Sequence, residues 1–243
     1  MQPQGLQGLG ITVPIILAPM AGSVGPELVA AVSNAGGLAL FPLWHREASE
    51  TKANVSAARA LTLRPFGINF NNNYPMDAHL DAAIEEGIII ASFFWGLDAA
   101  RIRRAKDAGM TVLQTIGTAD EARQAVDSGA DMVVAQGWEA GGHVWGTVAT
   151  LVLIPSVVDA VGPVPVIAAG GIADGRGLAA VLALGASAGL IGTRFLLATE
   201  STIDSARRAK LVAAGEADTV MGKDPQPLWR DSAMRWIGQP KER

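Results

Sequence analysis

Cysteine is absent from this sequence of 243 residues. Its absence excludes disulfide bonds, thiolate nucleophiles, metal sites with cysteine ligands and iron–sulfur clusters. It also gives no indication that the protein is exported. We predict no metal site in this chain.

The sequence also has no excess of charge of one sign and no long hydrophobic run. The 19 basic and 23 acidic residues give a net charge of −4 without a basic cluster or arm, which argues against nucleic acid as a partner. No apolar run approaches the roughly 18 residues that span a bilayer. The N-terminus (Met1-Gln-Pro-Gln-Gly) lacks the charged region and apolar block of a signal peptide. We therefore expect a cytoplasmic protein that does not bind membranes.

Short apolar runs that alternate with helical patterns make up most of the chain. The runs that predict strands are 15–19, 38–41, 66–70, 88–93, 111–115, 131–135, 164–169 and 188–192. A stretch with helical spacing follows each of them, including one expected to begin near Pro155. The runs are almost continuously apolar, as in parallel strands that are covered on both faces. Hydrophobic residues make up 49% of the chain, which is enough for a sizeable core.

The number of these units predicts the fold class. Eight βα units nearly fill the chain, and single barrels commonly contain about 250 residues. We therefore predict an α/β protein with a (β/α)₈ TIM barrel over residues 1–214. A doubly wound open sheet, which has the same alternation, is the alternative. The composition changes after Gly215, so residues 215–243 are expected to form a C-terminal tail that acts as a lid or as the subunit contact of a homodimer.

The densest chemical motif is Gln136-Gly-Trp-Glu-Ala-Gly-Gly-His143, which follows the sixth predicted strand. Its glycines allow a ligand to approach the main chain closely or allow positive φ. His143 is the only side chain of the motif that titrates near neutral pH. In a TIM barrel, loops at this end of the strands carry the function.

Two further glycine-containing loops predict a phosphate site. Gly170-Gly171 follows the seventh predicted strand and Gly192-Thr193 follows the eighth, where barrels often bind phosphate through main-chain N–H groups. Arg194 could add positive charge. A phosphate site beside a second glycine-rich loop suggests a flat phosphorylated cofactor, either FMN or PLP.

The positions of the lysines favour FMN over PLP. PLP requires a lysine for a Schiff base. The lysines are Lys52, Lys106, Lys210, Lys223 and Lys241, and none lies at the C-terminal end of a predicted strand. FMN needs no covalent partner, and the amides of Asn69 and Gln136 can contact the pyrimidine edge of its ring.

These motifs resemble the nitronate monooxygenase family, formerly called 2-nitropropane dioxygenase. The resemblance rests on the runs 133–143 and 166–175, on Gly192-Thr-Arg-Phe195 with Ala198-Thr-Glu-Ser201, and on Ala18-Pro-Met20 and Ala91-Ser-Phe93 with Gly96. Two departures from the family pattern stand out. The chain ends soon after the eighth strand, and Leu190-Ile191 replaces the Gln-Met that commonly precedes Gly-Thr.

The resemblance implies an FMN-containing barrel that oxidises alkyl nitronates with O₂. By motif matching it assigns Ala18, Pro19 and Met20 to the back of the flavin, and Asn69 and Gln136 to its ring. The residues that would line the ribityl-phosphate side are Gly141, Gly142, Gly170, Gly171, Gly192 and Thr193. His143 would face the substrate.

Three functional hypotheses follow from the sequence. In the first, His143 takes the α-proton of a nitroalkane or pairs with the nitronate, since a general base works best with a pKa near the working pH. The second is an NAD(P)H-dependent flavin oxidoreductase that acts on a quinone or an enoyl thioester. The third is a flavin or phosphate-ligand binder without activity. A purely structural His143, bonded only to its own loop, is the alternative for that residue, and Trp229 and Trp236 are expected to serve packing or subunit contacts.

Overall fold

Eight parallel strands close into a barrel in the computed structural model, which describes residues 6, 8–224, 226, 229 and 232–238. The strands are β1 (Ile15–Leu17), β2 (Leu38–Pro42), β3 (Gly67–Asn71), β4 (Ile90–Phe94), β5 (Thr111–Ile116), β6 (Met132–Gln136), β8 (Val166–Ala169) and β9 (Ala188–Ile191), while β7 (Gly142–His143) lies outside the barrel. They pair in chain order, and β9 closes on β1 with Ile16 opposite Leu190. The predicted TIM barrel is confirmed, and the open sheet is excluded by this closure.

Helices separate the barrel strands along the chain. They are α1 (Pro26–Asn34), α2 (Thr51–Arg59), α3 (Asp77–Glu85), α4 (Ala99–Asp107), α5 (Ala119–Asp127), α6 (Thr150–Val161), α7 (Gly175–Ala183) and α8 (Ser205–Ala213). Side-chain caps begin several of them. Asp98 accepts from the main-chain N–H groups of Ala100 and Arg101, and Asp174 accepts from those of Arg176 and Gly177. None of the described helices combines the length and the apolar composition that a membrane-spanning helix needs.

Two apolar layers explain why the strands are continuously hydrophobic. Side chains that alternate along a strand point to opposite faces of the sheet. Leu40 and Ile90 belong to the cluster inside the barrel, whereas Phe41 and Phe93 belong to the larger cluster between the barrel and its helices. Both faces therefore exclude water, and this rigid frame holds the ends of the strands in place.

Helix α6 corrects one prediction. The sequence led us to expect its start near Pro155, but the helix begins at Thr150 and contains Pro155. The side chain of Glu139 accepts hydrogen bonds from the main-chain N–H of Thr150 (2.9 Å) and from its hydroxyl (3.0 Å). This contact supplies an acceptor for the first N–H of the helix, so the helix can begin before the proline. Because Pro155 has no N–H, the carbonyl oxygen of Leu151 lacks its helical hydrogen bond. Leu151 is 66% exposed.

A second, smaller sheet joins the end of the chain to the loop after β6. Its central strand is β11 (Ala233–Ile237), which pairs antiparallel with β10 (Thr219–Lys223) on one side and with β7 on the other. Met234 lies opposite His143 in this ladder. We call residues 219–238, as far as they are described, the C-terminal segment. It lies against the glycine-rich motif.

Candidate active site

The C-terminal ends of β1, β6, β8 and β9 bring most of the predicted site residues together. The main-chain N–H of Ala18 donates to Ile191 O (2.9 Å), and a Cβ built at Gly192 would lie 3.4 Å from the Ala18 Cβ and 3.5 Å from the Met20 Sδ. A Cβ at Gly141 would lie 2.8 Å from the Thr193 Oγ1. These loops therefore converge at one rim of the barrel, and Pro19 lies within the first of them.

The glycine pair after β8 needs the backbone freedom of glycine. Gly170 has φ of +105° and Gly171 has φ of +71°, a region that L side chains adopt with strain. A Cβ at Gly170 would also lie 3.0 Å from the carbonyl oxygen of Gly137. The loops after β6 and β8 consequently touch through their main chains.

Gln136 braces the loop that carries His143. Its Nε2 donates to the carbonyl oxygen of His143 (3.1 Å), and its Oε1 accepts from the main-chain N–H of Trp145 (2.9 Å). Both ends of the amide are thus bonded within the motif. The side chain that was expected to contact a flavin ring holds the main chain of the candidate base in this structure.

His143 lies between a carboxylate and an aromatic ring, both supplied by the C-terminal segment. Its Nε2 lies 2.7 Å from the Asp224 Oδ2, and the side chains are 18% and 1% exposed, respectively. The Trp229 ring stacks on the imidazole with centroids 3.7 Å apart and an interplanar angle of 14°. Among the described residues, no hydrogen-bond partner contacts the Nδ1 of His143.

Burial of the imidazole sets its protonation state. Desolvation lowers the pKa of His143 below its usual value of 6.5, and the hydrogen bond and negative charge of Asp224 oppose that effect only in part. The ring is therefore neutral at pH 7 and has one nitrogen able to accept a proton.

Further aromatic side chains surround this stack. Trp95 meets the His143 ring edge-on at 5.9 Å and the Trp229 ring at 4.9 Å, while Trp44 and Tyr74 also contact Trp229. Among the described residues other than glycine, only Trp95 has a positive φ, +73°. A bulky residue in this region is strained, and such strain persists where the surrounding structure fixes it, often at functional sites.

Asn69 and Asn71 lie near the end of β3. Both point away from the outer cluster that contains Ile68 and Phe70 and therefore face the barrel axis. The Nδ2 of Asn69 donates to the carbonyl oxygen of Ser92 (3.2 Å). The Nδ2 of Asn71 is buried without a partner among the described residues.

The sequence did not predict the contacts of three residues in this site. Asn71 only begins the polar run Asn71-Asn-Asn. Asp224 carried no motif, and Trp229 was assigned to packing or a subunit contact. A buried, unpaired donor or an acid next to a candidate base appears only once distant parts of the chain meet.

The rim fits a phosphorylated cofactor of the predicted kind. The main-chain N–H groups of Gly171 and Thr193 donate no hydrogen bond to any described residue, and both residues are exposed. Free main-chain donors of this type bind phosphate oxygens. The buried amide of Asn71 offers a further donor on the barrel side. No group of acidic residues or histidines in the described part of the chain is arranged to hold a metal ion.

Comparison with known proteins places nearly the whole chain in the family that the sequence motifs resemble. The family model described as nitronate monooxygenase matches residues 4–240. Proteins from Staphylococcus aureus named probable nitronate monooxygenase are 32% identical over 89% of this chain and 74% of their own length. Enzymes of this family are flavin-dependent oxidoreductases.

Two relatives with higher identity carry a different name, (3aS,4S,5R,7aS)-5-hydroxy-7a-methyl-1-oxo-octahydro-1H-indene-4-carboxyl-CoA dehydrogenase. The Rhodococcus jostii protein is 40% identical and the Mycobacterium tuberculosis protein 42% identical, each over 88% of this chain. The chain spans 61% of the length of these relatives.

Solved structures share both the fold and substantial sequence identity. FabK from Thermotoga maritima has a TM-score of 0.91 and 36% identity, covering 99% of this chain and 76% of that chain. Nitroalkane oxidase from Streptomyces ansochromogenes has a TM-score of 0.86 and 30% identity, covering 96% of this chain and 78% of that chain. With its barrel, its rim of glycines and these matches, the chain belongs to the nitronate monooxygenase family.

Proposed function

We propose that this protein binds FMN at the glycine-rich rim and oxidises nitroalkanes or their nitronates with O₂, giving carbonyl compounds and nitrite. One observation carries the proposal. The His143 imidazole is neutral, is hydrogen-bonded through Nε2 to a buried carboxylate, and keeps Nδ1 without a partner among the described residues. A general base at the rim of such a barrel needs these properties.

The cofactor would be held mainly by main chain. Gly171 and Thr193, with their free N–H groups, would bind the phosphate, and Gly141 and Gly142 would lie beside the ribityl chain together with Gly170 and Gly192. Ala18, Pro19 and Met20 would lie behind the flavin, and Asn69 and Gln136 would flank its ring. When bound, FMN would accept electrons from the substrate and pass them to O₂.

His143 would act on the proton of the substrate. The carbon next to a nitro group is acidic because the nitro oxygens share the negative charge that remains when the proton leaves. A neutral imidazole can therefore take this proton at Nδ1 and become an imidazolium. The preformed nitronate has already lost that proton, so with it the residue would only orient the anion.

The C-terminal segment would act as a lid over this base. Trp229 is 3% exposed and lies flat on the imidazole, so it excludes water from that face. Trp95 and Trp138, which follow β4 and β6, would wall the same pocket. The predicted homodimer stays a prediction, and Trp236, which is 40% exposed on β11, is an aromatic side chain that such a contact would bury.

A second candidate function is an NAD(P)H-linked flavin oxidoreductase that acts on an acyl thioester. The observation that favours it is the higher identity to the relatives named CoA dehydrogenases, 40% and 42%, together with the likeness to FabK. In that reaction His143 would exchange a proton with the carbon next to the thioester carbonyl. A thioester α-proton is far less acidic than that of a nitroalkane, so this reaction would require a stronger base than the nitroalkane reaction does.

One anaerobic experiment separates the two candidates. The protein is loaded with FMN, and flavin absorbance is followed after addition of nitroethane, propyl nitronate, NADH or NADPH. We expect bleaching by the nitro compounds and slow or no bleaching by the nicotinamides, with nitrite released when O₂ is admitted. Rapid bleaching by a nicotinamide without any response to the nitro compounds would favour the thioester reaction. A protein that takes up no FMN would refute both.

A further inference from the structure

A buried carboxylate from the C-terminal segment contacts the candidate base directly. Asp224 follows β10, and its side chain is 1% exposed. Its Oδ2 lies 2.7 Å from the His143 Nε2, and its Oδ1 accepts from the main-chain N–H of Gln226 at 2.9 Å. Among the described residues, this carboxylate pairs with His143.

Backbone pairing in the small sheet fixes the contact between Asp224 and His143. The main-chain N–H of Asp224 donates to the carbonyl oxygen of Ser232 (3.0 Å), which continues the pairing of β10 with β11. Strand β11 in turn pairs with β7, and the N–H of Val144 donates to the carbonyl oxygen of Ala233 (2.8 Å). Both partners therefore belong to one small sheet, so their relative position does not depend on a loose loop.

The chemistry of the pair selects one tautomer of the imidazole. A carboxylate can only accept a hydrogen bond, so the neutral imidazole must carry its proton on Nε2. Nδ1 then keeps the lone pair. An acid that orients a histidine in this way also stabilises the imidazolium that forms when the ring accepts a proton.

We propose that Asp224 is a positioning residue that holds His143 as the Nε2–H tautomer, so that Nδ1 accepts the α-proton of the substrate. The inference rests on the proposed function for its substrate. In the step, the C–H bond of the neutral nitroalkane breaks and an N–H bond forms at Nδ1. The electron pair of the C–H bond stays on the substrate as the nitronate, and the imidazolium charge faces the Asp224 carboxylate.

The first test measures the tautomer directly. The protein contains three histidines, and ¹⁵N NMR of histidine-labelled protein, with His143→Gln to assign the signals, reports the protonation of each ring nitrogen. We expect Nε2 protonated and Nδ1 unprotonated in the wild type. In Asp224→Asn, the amide can donate to Nε2, so we expect a large population of the Nδ1–H tautomer. Unchanged His143 signals in this variant would overturn the inference.

The second test uses two substrates that differ only in the proton. With nitroethane, Asp224→Asn is expected to lower kcat roughly 10²-fold, within the range of general base catalysis. With ethyl nitronate, which needs no deprotonation, we expect less than about a threefold change, because the base is not needed there. An equal fall on both substrates would mean that Asp224 only supports the fold of the segment, and would contradict the inference.

Matched variants complete the design. Asp218→Asn removes an exposed acid of the same region, one that accepts from the main-chain N–H of Gly215, and should leave both readouts unchanged. Asp224→Glu keeps an acceptor and should restore part of the activity on nitroethane if Asp224→Asn proves unstable. If the wild type oxidises neither nitro compound, the proposed function fails, while the NMR measurement still decides whether Asp224 sets the tautomer.

Discussion

The barrel and the C-terminal segment contribute to the site in different ways. The barrel supplies a rigid rim from eight strands that pair in chain order, with Phe41, Phe70 and Phe93 fully buried between strands and helices. The C-terminal segment supplies two side chains, Asp224 and Trp229, that contact His143. The difference indicates that a repeated scaffold positions the loops proposed to hold the cofactor, while the short additional sheet contacts the proposed base.

The largest expected effect tests the barrel side of this comparison. Phe93 is fully buried and stacks on Phe70 with centroids 5.3 Å apart. Phe93→Ala should lower the free energy of unfolding by about 3–5 kcal/mol, because it removes buried contacts and leaves a cavity. Urea denaturation measures this, with Leu63→Ala as the control, since Leu63 is fully exposed. A loss under about 1 kcal/mol would contradict the packing described.

Removal of the imidazole should have the largest effect on activity. His143→Gln is expected to lower kcat/KM for nitroethane by roughly 10²- to 10⁴-fold, the usual contribution of a general base. Steady-state nitrite release measures it. His79→Gln is the matched control, because His79 lies in α3 and its Nε2 contacts only the carbonyl oxygen of Arg46. Full activity of His143→Gln would exclude the imidazole as the base.

A smaller and more local effect is expected from the C-terminal segment. Trp229 is buried against His143 but lies outside the barrel. Trp229→Ala should speed hydrogen exchange in β10 and β11 while changing global stability by less than about 1 kcal/mol, since segments can open locally without the core. If the variant instead unfolds the whole protein at a markedly lower urea concentration, the segment and the barrel form one cooperative unit.

The pH dependence should show the smallest change. Burial lowers the pKa of His143, so the base stays neutral and active at pH 7, and the rate with nitroethane should fall only when the pH drops well below 6.5. The free energy of unfolding depends on pH in the same direction. The unfolded chain binds the His143 proton more readily than the folded protein does. The contribution of His143 to the free energy of unfolding is therefore complete above pH 6.5 and is lost as the pH falls through the lower pKa of the folded state. Because Asp224 raises the pKa of His143, Asp224→Asn should move the fall in rate to lower pH. A shift to higher pH would contradict the assignment.

The barrel could be predicted from the sequence because the patterns that indicate it are local and recur along the chain. Apolar runs such as 131–135 recur with helices between them, and each glycine-rich loop follows a strand end. The structure brings Gly141, Gly192 and Thr193 to one rim, as the order of the strands predicts. The predicted start of α6 was wrong because Glu139, eleven residues before Thr150 in the same connection, accepts from the main-chain N–H of Thr150, and the helix begins there rather than at Pro155.

The contacts around His143 could not be predicted in the same way. Asp224 lies 81 positions from His143, and a single acid at that distance has no period or motif that marks it. Gln136 offered an amide that suits a flavin edge, yet both of its ends bond the main chain of the loop. Single long-range contacts of this type depend on how β11 pairs with β7, which a short two-residue strand does not reveal.

The most direct test of the central claim is a crystal structure of the FMN complex. We predict the phosphate on the main-chain N–H groups of Gly171 and Thr193, and the His143 imidazole facing the flavin ring across the substrate space, with its Nε2 still bonded to Asp224. A phosphate bound elsewhere on the barrel, or a ring that leaves His143 outside contact distance of the substrate space, would contradict the account.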